Sequence, residues 1–145
     1  MSELTYRQIV SEHDADIPRI KAVYQNPCVA RYLDMNDNFF RYVTTAESVY
    51  YFTVYESGAL IGTVHLEKQG SVLSAAILVF PEYQRLGFGT RIVKDLQSGA
   101  LGLGYACIEV SVDVRNEASL KLFENAGFIR VSQEDELITL VYQKE

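Results

Sequence analysis

Tryptophan is absent from this 145-residue chain, cysteine occurs only twice and proline three times. Cys28 and Cys107 lie far apart and form no CxxC pair, which excludes a disulfide framework and predicts buried, reduced thiols in a cytoplasmic protein. No repeat, low-complexity tract or Pro/Ser-rich linker interrupts the chain, so one domain over residues 1–145 is expected. Positive charge is also scarce: 13 Lys and Arg against 19 Asp and Glu leave a net charge of −6. That balance argues against a protein that coats nucleic acid, while one small anionic ligand in a local pocket stays compatible with it. No apolar stretch approaches the roughly 20 residues of a membrane helix. The longest strongly apolar run, Val72 to Phe80, includes Ser74, and the Met-Ser-Glu start lacks the basic residues of a secretion signal. No membrane partner is expected. What the chain does have is 48% hydrophobic and 22% charged residues, enough for a core without disulfide or metal staples.

Periodicity orders the elements. Leu4 to Val10 alternates as a strand. Asp14 and Asp16 before Ile17-Pro18 predict a helix start, and Ile17, Ile20 and Tyr24 fall on one helical face that ends near Asn26-Pro27. A less regular helical region covers Val29 to Ala46. Val49 to Glu56, Leu60 to Lys68 and Val72 to Phe80 read as three strands joined by turns at Ser57-Gly58 and Gln69-Gly70. The third is apolar on both faces, as in a central strand covered twice. Phe88, Ile92, Leu96 and Ala100, spaced by four, mark a helix that Gly99, Gly102 and Gly104 end. A strand over Tyr105 to Val114, a helix over Glu117 to Ala126, and strands over Phe128 to Ser132 and Leu137 to Tyr142 complete the order βααβββαβαββ. That order is an α/β (α+β) fold: a mixed sheet with helices on its faces.

Chemistry concentrates in Pro81-Glu82-Tyr83-Gln84-Arg85-Leu86-Gly87-Phe88-Gly89-Thr90, where a buried strand runs into glycines and a helix start. Helix N-termini offer unpaired N–H groups and a positive dipole end, which together suit a phosphate. Gly87 and Gly89 remove side chains that would block close approach to the backbone, and Arg85 and Arg91 add charge. A plain strand-to-helix turn would use glycine as well. The dinucleotide fingerprint fails for want of a third Gly at Ile92, and no Gly-Lys-Ser/Thr P-loop is present.

These residues resemble the GNAT N-acetyltransferases. The family's acetyl-CoA signature, Gln/Arg-x-x-Gly-x-Gly/Ala, is matched by Gln84-Arg85-Leu86-Gly87-Phe88-Gly89, preceded by Val79-Phe80-Pro81-Glu82-Tyr83. A second motif, Asn-x-x-Ala/Ser-x-x-x-Tyr/Phe-x-x-x-Gly-Phe, appears as Asn116, Ser119, Phe123, Gly127 and Phe128. The resemblance implies a splayed, mixed and mostly antiparallel sheet of six to seven strands with about four helices. It implies acetyl-CoA as co-substrate, with the pantetheine arm on the backbone of Ile77, Leu78 and Val79. The pyrophosphate would lie on the N–H groups of Arg85, Leu86, Gly87, Phe88, Gly89 and Thr90, and Asn116 would bond near the pantetheine.

Direct transfer needs a neutral amine, although an alkylammonium has a pKa of about 10.4. It also needs a proton for the departing sulfur. Many family members use a Tyr acid in the slot filled here by Phe123, and others a Glu in the slot of Ser111. Substitutes must come from elsewhere. Strand alternation puts Glu109 on the face of Ser111, and His65 shares a face with Glu67. Glu109 and Glu67, acting through water, are the candidate catalytic residues, each with the plainer reading of an exposed strand carboxylate.

Asp34-Met-Asn36-Asp37-Asn38 starts like a calcium loop but has Phe39 and Thr45 at the Gly and Glu positions, and His13 and His65 lack partners at zinc spacing. No metal is expected. Phe39, Phe40, Tyr42, Tyr50, Tyr51, Phe52 and Tyr55 read as core, or as a cage for a cationic amine, since this region borders the acceptor pocket in the family. The leading expectation is acetylation of a primary amine on a small molecule or peptide. A CoA-binding module without turnover is the alternative, and a homodimer is left open.

Overall fold

The computed structural model describes residues 3–30 and 35–144. The alternating and doubly apolar runs become seven strands: β1 (Leu4–Gln8), β2 (Val49–Glu56), β3 (Ala59–Gln69), β4 (Val72–Val79), β5 (Cys107–Asp113), β6 (Ile129–Glu134) and β7 (Leu137–Gln143). The helices among the described residues are α1 (Ile17–Tyr24), α2 (Pro27–Ala30), α3 (Phe39–Thr45), α4 (Phe88–Ser98) and α5 (Glu117–Asn125). One sheet holds all seven strands in the order β1-β2-β3-β4-β5-β7-β6. Every pairing is antiparallel except β4 with β5.

Two apolar layers sandwich the sheet. On one face, Ile92, Val93 and Leu96 of α4 and Leu120 and Phe123 of α5 pack on Val64, Leu66, Leu73, Ile108, Val110 and Leu140. On the other, Ile17, Ile20 and Val23 of α1, with Phe40 and Val43 of α3, pack on Val49, Tyr51, Leu78 and Phe80. The four-residue spacing of α4 is thus a burial stripe. Gly99 ends that helix at φ 83°, its N–H reaching Leu96 O at 3.3 Å while Ala100 N–H reaches Asp95 O at 2.9 Å. This is a Schellman turn, which needs a left-handed residue.

Several sequence expectations are corrected. The helical region over Val29 to Ala46 is two helices, α2 and α3, with residues 31–34 outside the described ones, Asp34 of the calcium-like run among them. Helix α1 starts at Ile17, directly after Asp14 and Asp16 as expected, but without a side-chain capping bond from the N-cap residue Asp16. Both carboxylates instead bind Arg7, Asp14 by two contacts at 2.7 and 2.8 Å, because a guanidinium offers a carboxylate a stronger partner than a helix N–H. Ser57 (φ 51°) and Gly58 (φ 84°) make the first hairpin turn as expected. The second falls one residue later, on Gly70 and Ser71, since Gln69 already pairs with Val72 and Gly70 supplies the positive φ of 59°. Strand β4 is central but not covered twice along its length: Ser74 and Ala76 are exposed on the α1–α3 face, where helices cover only the Leu78 end.

Candidate active site

Strands β4 and β5 pair over three rungs only, Val72–Cys107, Leu73–Ile108 and Ser74–Glu109, and then part. From there β4 continues to Val79 and β5 to Asp113, each held by its outer neighbour, β3 or β7. Phe80 N–H donates to Ile61 O of β3 at 2.8 Å. Since successive residues of a strand aim their amide groups at opposite neighbours, Leu78 faces β3, whereas Ile77 and Val79 face the gap. Unpaired edge amides of this kind are a template for an added extended chain.

The gap widens into a cleft of about 620 Å³ bounded by β4, β5, the turn before α4, and α5. A 3-10 turn, Pro81–Tyr83, leads out of β4. The Gln84 side chain then donates to Val79 O at 2.9 Å, tying the loop back to the strand end. Arg85 at φ 65° and Gly87 at φ 85° are left-handed on either side of Leu86. Such alternation gathers successive N–H groups into an anion-binding concavity. The first intrahelical bond of α4 runs from Arg91 N–H to Gly87 O, so the N–H groups from Gly87 to Thr90 precede the helical ladder.

The two signature glycines serve different ends. A Cβ on Gly87 would meet nothing within 4 Å, and its positive φ is what glycine provides there. A Cβ on Gly89 would stand 3.2 Å from Leu122 Cδ2, so this glycine seats α4 against α5. Of the residues expected to hold the cofactor, Ile77, Leu78, Val79, Gln84, Arg85, Gly87, Phe88, Gly89, Thr90, Asn116, Ser119 and Phe123 line the cleft. Leu86 does not, and is 64% exposed. Arg91 also lies off the cleft, its guanidinium over the Phe88 ring at 5.5 Å. Asn116 caps α5, its Oδ1 accepting from Ser119 N–H at 3.3 Å, which leaves the amide NH2 end for a ligand. Phe123 is buried edge-on against Phe128, centroids 5.1 Å apart.

Cys28, Tyr83, Asp113 and Lys121 also line the cleft. No periodicity marks them; Cys28, expected to be buried, is exposed on the short helix α2.

Where the cleft reaches the α1–α3 face it exposes Ala76 of β4 and Ser111 of β5. Register now places the candidate carboxylates. Glu67 of β3 pairs with Ser74, and Ser74 with Glu109, so the three residues form one rung on this face. Two strand spacings separate the carboxylate-bearing backbones by about 10 Å. Neither Glu67 nor Glu109 lines the cleft itself. His65 is the rung partner of Ala76, at the cleft's edge. Its Nε2 is buried and lies 2.9 Å from Glu67 Oε2. The Tyr42 hydroxyl of α3 donates to Glu67 Oε1 at 3.0 Å, and both the bond and the carboxylate charge raise the phenol's pKa. Burial pushes the His65 imidazole below its usual 6.5, against the opposing pull of Glu67. Among the described residues, no group of three or more His, Cys, Asp and Glu is arranged to hold a metal, and no helix is long and apolar enough to cross a membrane.

Residues 14–128 match the model of the Acetyltransferase (GNAT) family, and the chain belongs to that family. Acetyl transfer is the chemistry its description names. Solved structures share the fold over nearly the whole length. A domain from Methanocaldococcus jannaschii DSM 2661 superposes with a TM-score of 0.82 at 17% identity, covering 99% of both chains. Spermidine N-acetyltransferase from Vibrio cholerae, solved with CoA and spermine, gives 0.80 at 18% identity over 98% of this chain and 96% of the other. The N-acetyltransferase PseH of Campylobacter jejuni gives 0.78 at 14% identity over 98% and 99%. A search of curated proteins found no match.

Proposed function

We propose that the protein transfers the acetyl group of acetyl-CoA to a primary amine of a positively charged small molecule or peptide. The observation that carries this reading is the parting of β4 and β5 directly above the amide concavity at Arg85 and Gly87. The fit to CoA is specific in kind. Edge amides of Ile77 and Val79 suit the peptide-like pantetheine arm, and the start of α4 suits a diphosphate. Acetyl-CoA supplies an activated acyl group; the chain supplies position and a donor N–H at the strand edge for charge that grows on the carbonyl oxygen. Lys121 and Arg85, both on the cleft wall, add positive charge for phosphates.

The acceptor side has the opposite sign. Glu67 and Glu109 on one rung, with the small, exposed Ser74 between them, present two carboxylates to whatever approaches from the α1–α3 face. Phe39 and Tyr42 of α3 border the same place. Negative charge with aromatic rings favours ammonium groups over neutral or anionic acceptors.

Calorimetric titration with CoA, followed by release of CoA thiol from acetyl-CoA with spermidine, a lysine peptide and neutral amines, tests the reading. Binding together with turnover that favours cationic amines is expected. The buried Phe123, which carries no proton, and Ser111 favour one other reading, a CoA-binding module without turnover. CoA binding with no thiol release across the panel would establish that module and reject the enzyme.

A further inference from the structure

We propose that His65 is the proton acceptor for the attacking amine, with Glu67 and Tyr42 as the residues that position it. The inference rests on the acetyl-transfer reading above and assigns the proton step that Phe123 and Ser111 leave without an obvious carrier. It departs from the sequence-based expectation that Glu67 or Glu109 takes the proton through water.

Placement comes first. His65 shares a rung with Ala76, so the two Cβ atoms stand about 5 Å apart on one face. Ala76 is exposed and lines the cleft, and a methyl group screens nothing beside it. The imidazole therefore stands at the mouth through which an amine would approach the strand edge at Ile77. Glu67 and Glu109 stand one rung further away, level with Ser74.

Orientation is built in. The Phe39 ring meets the imidazole edge-on at 5.6 Å and the Tyr51 ring at 5.9 Å, which restricts it on two sides. Glu67 stands beside Nε2, and the Tyr42 hydroxyl bonds the far oxygen of that carboxylate. A carboxylate near an imidazole steadies the imidazolium that forms on proton uptake.

Protonation state agrees with the task. Among the described residues, the titratable groups around His65 include Glu67 on its own strand, Tyr51 from β2, Tyr42 from α3 and, beyond β4, Glu109. Burial outweighs the Glu67 charge and keeps the ring neutral near pH 7, with its Nε2 buried against the Glu67 carboxylate. A neutral ring whose Nε2–H faces a carboxylate keeps Nδ1 as its basic nitrogen, which is what a base requires.

The balance is simple. One proton passes from the acceptor ammonium to His65 Nδ1, directly or over one water, and from there to solvent. The amine nitrogen then bonds the thioester carbon as the C–S bond breaks. Its second proton leaves with the sulfur as CoA thiol.

The test uses His65→Gln and Glu67→Gln with CoA calorimetry, thiol release from acetyl-CoA and spermidine, and NMR titration of the His65 imidazole. His65→Gln is expected to keep the wild-type CoA affinity, to lose roughly 100-fold in kcat/KM at pH 7, and to lose the acid limb of the pH profile. Glu67→Gln is expected to shift that limb to lower pH, because a charge that favours the imidazolium is gone. The NMR titration is expected to place His65 below 6.5 in the wild-type protein. A His65→Gln variant that binds CoA and turns over within twofold of wild type overturns the proposal. So does an imidazole that titrates at or above 6.5. Wild-type protein that fails to bind CoA or to release thiol overturns the underlying reading, and this inference with it.

Discussion

Gly62 lies against the backbone of Leu78: a Cβ at position 62 would stand 2.2 Å from the Leu78 carbonyl oxygen. The contact arises at an irregularity between β2 and β3, where Val54 pairs with Gly62 and Tyr55 with Leu60, leaving Ile61 as an extra residue buried in the core. The extra residue bends β3 toward β4 at the end of β4 that borders the cleft. No side-chain rotation relieves a clash with main chain.

Gly62→Ala is therefore expected to destabilise the protein by about 1–3 kcal/mol. Each kcal/mol lowers the melting temperature by roughly 2–4 °C at this chain length. CoA affinity should fall as well, since the Ile77–Val79 edge moves with Leu78. Thermal unfolding and CoA titration of the one variant read both effects. An unchanged melting temperature would mean that the close approach of β3 and β4 is not maintained in solution.

Alanine substitution should separate the two signature glycines. Gly87→Ala places a Cβ on a left-handed residue, which costs about 1–2 kcal/mol, and it should weaken CoA binding by disturbing the amide concavity. Gly89→Ala meets only the end of the Leu122 side chain at 3.2 Å, and alanine is the better helix former. Its stability should stay within about 1 kcal/mol of wild type. Its N–H is retained, so its CoA affinity should be near normal. Equal losses in both variants would place the cradle elsewhere.

Acid should weaken the Arg7–Asp14 tie. The Arg7 guanidinium, bonding Asp14 at 2.7 and 2.8 Å, holds that carboxyl below its ordinary value of 3.8. A lowered folded-state pKa stabilises the folded form above the ordinary value, and the gain is lost as pH falls through the folded one. Asp14→Asn is therefore expected to melt lower than wild type at neutral pH. The difference should shrink progressively below about pH 4. A difference that persists undiminished in acid would assign the effect to packing instead of charge.

Much of the fold was legible because its cues are local. The spacing of Phe88, Ile92 and Leu96, the strand alternation and the Ser57-Gly58 turn each follow from neighbours within a few residues, and each forms where expected. Where local cues were overridden in detail, a distant part of the chain intervened. Asp14 and Asp16 are near enough to cap α1, but Arg7 from β1 competes for both. Ser74 and Ala76 look doubly buried in sequence, yet helix cover over them depends on where α1–α3 stop.

By itself the sequence determined the strand–glycine–helix passage from Val79 to Thr90 and the apolar stripes that make two layers, because backbone conformation and periodicity are properties of short stretches. Only the tertiary structure decided which polar residues meet. His65 stands beside Ala76, and Glu67 beside Ser74, through the register of the β3–β4 hairpin, and Glu109 joins that rung from the distant β5. Register is set by how whole faces bury against the helices, and one residue of slip would turn every one of these side chains to the opposite face.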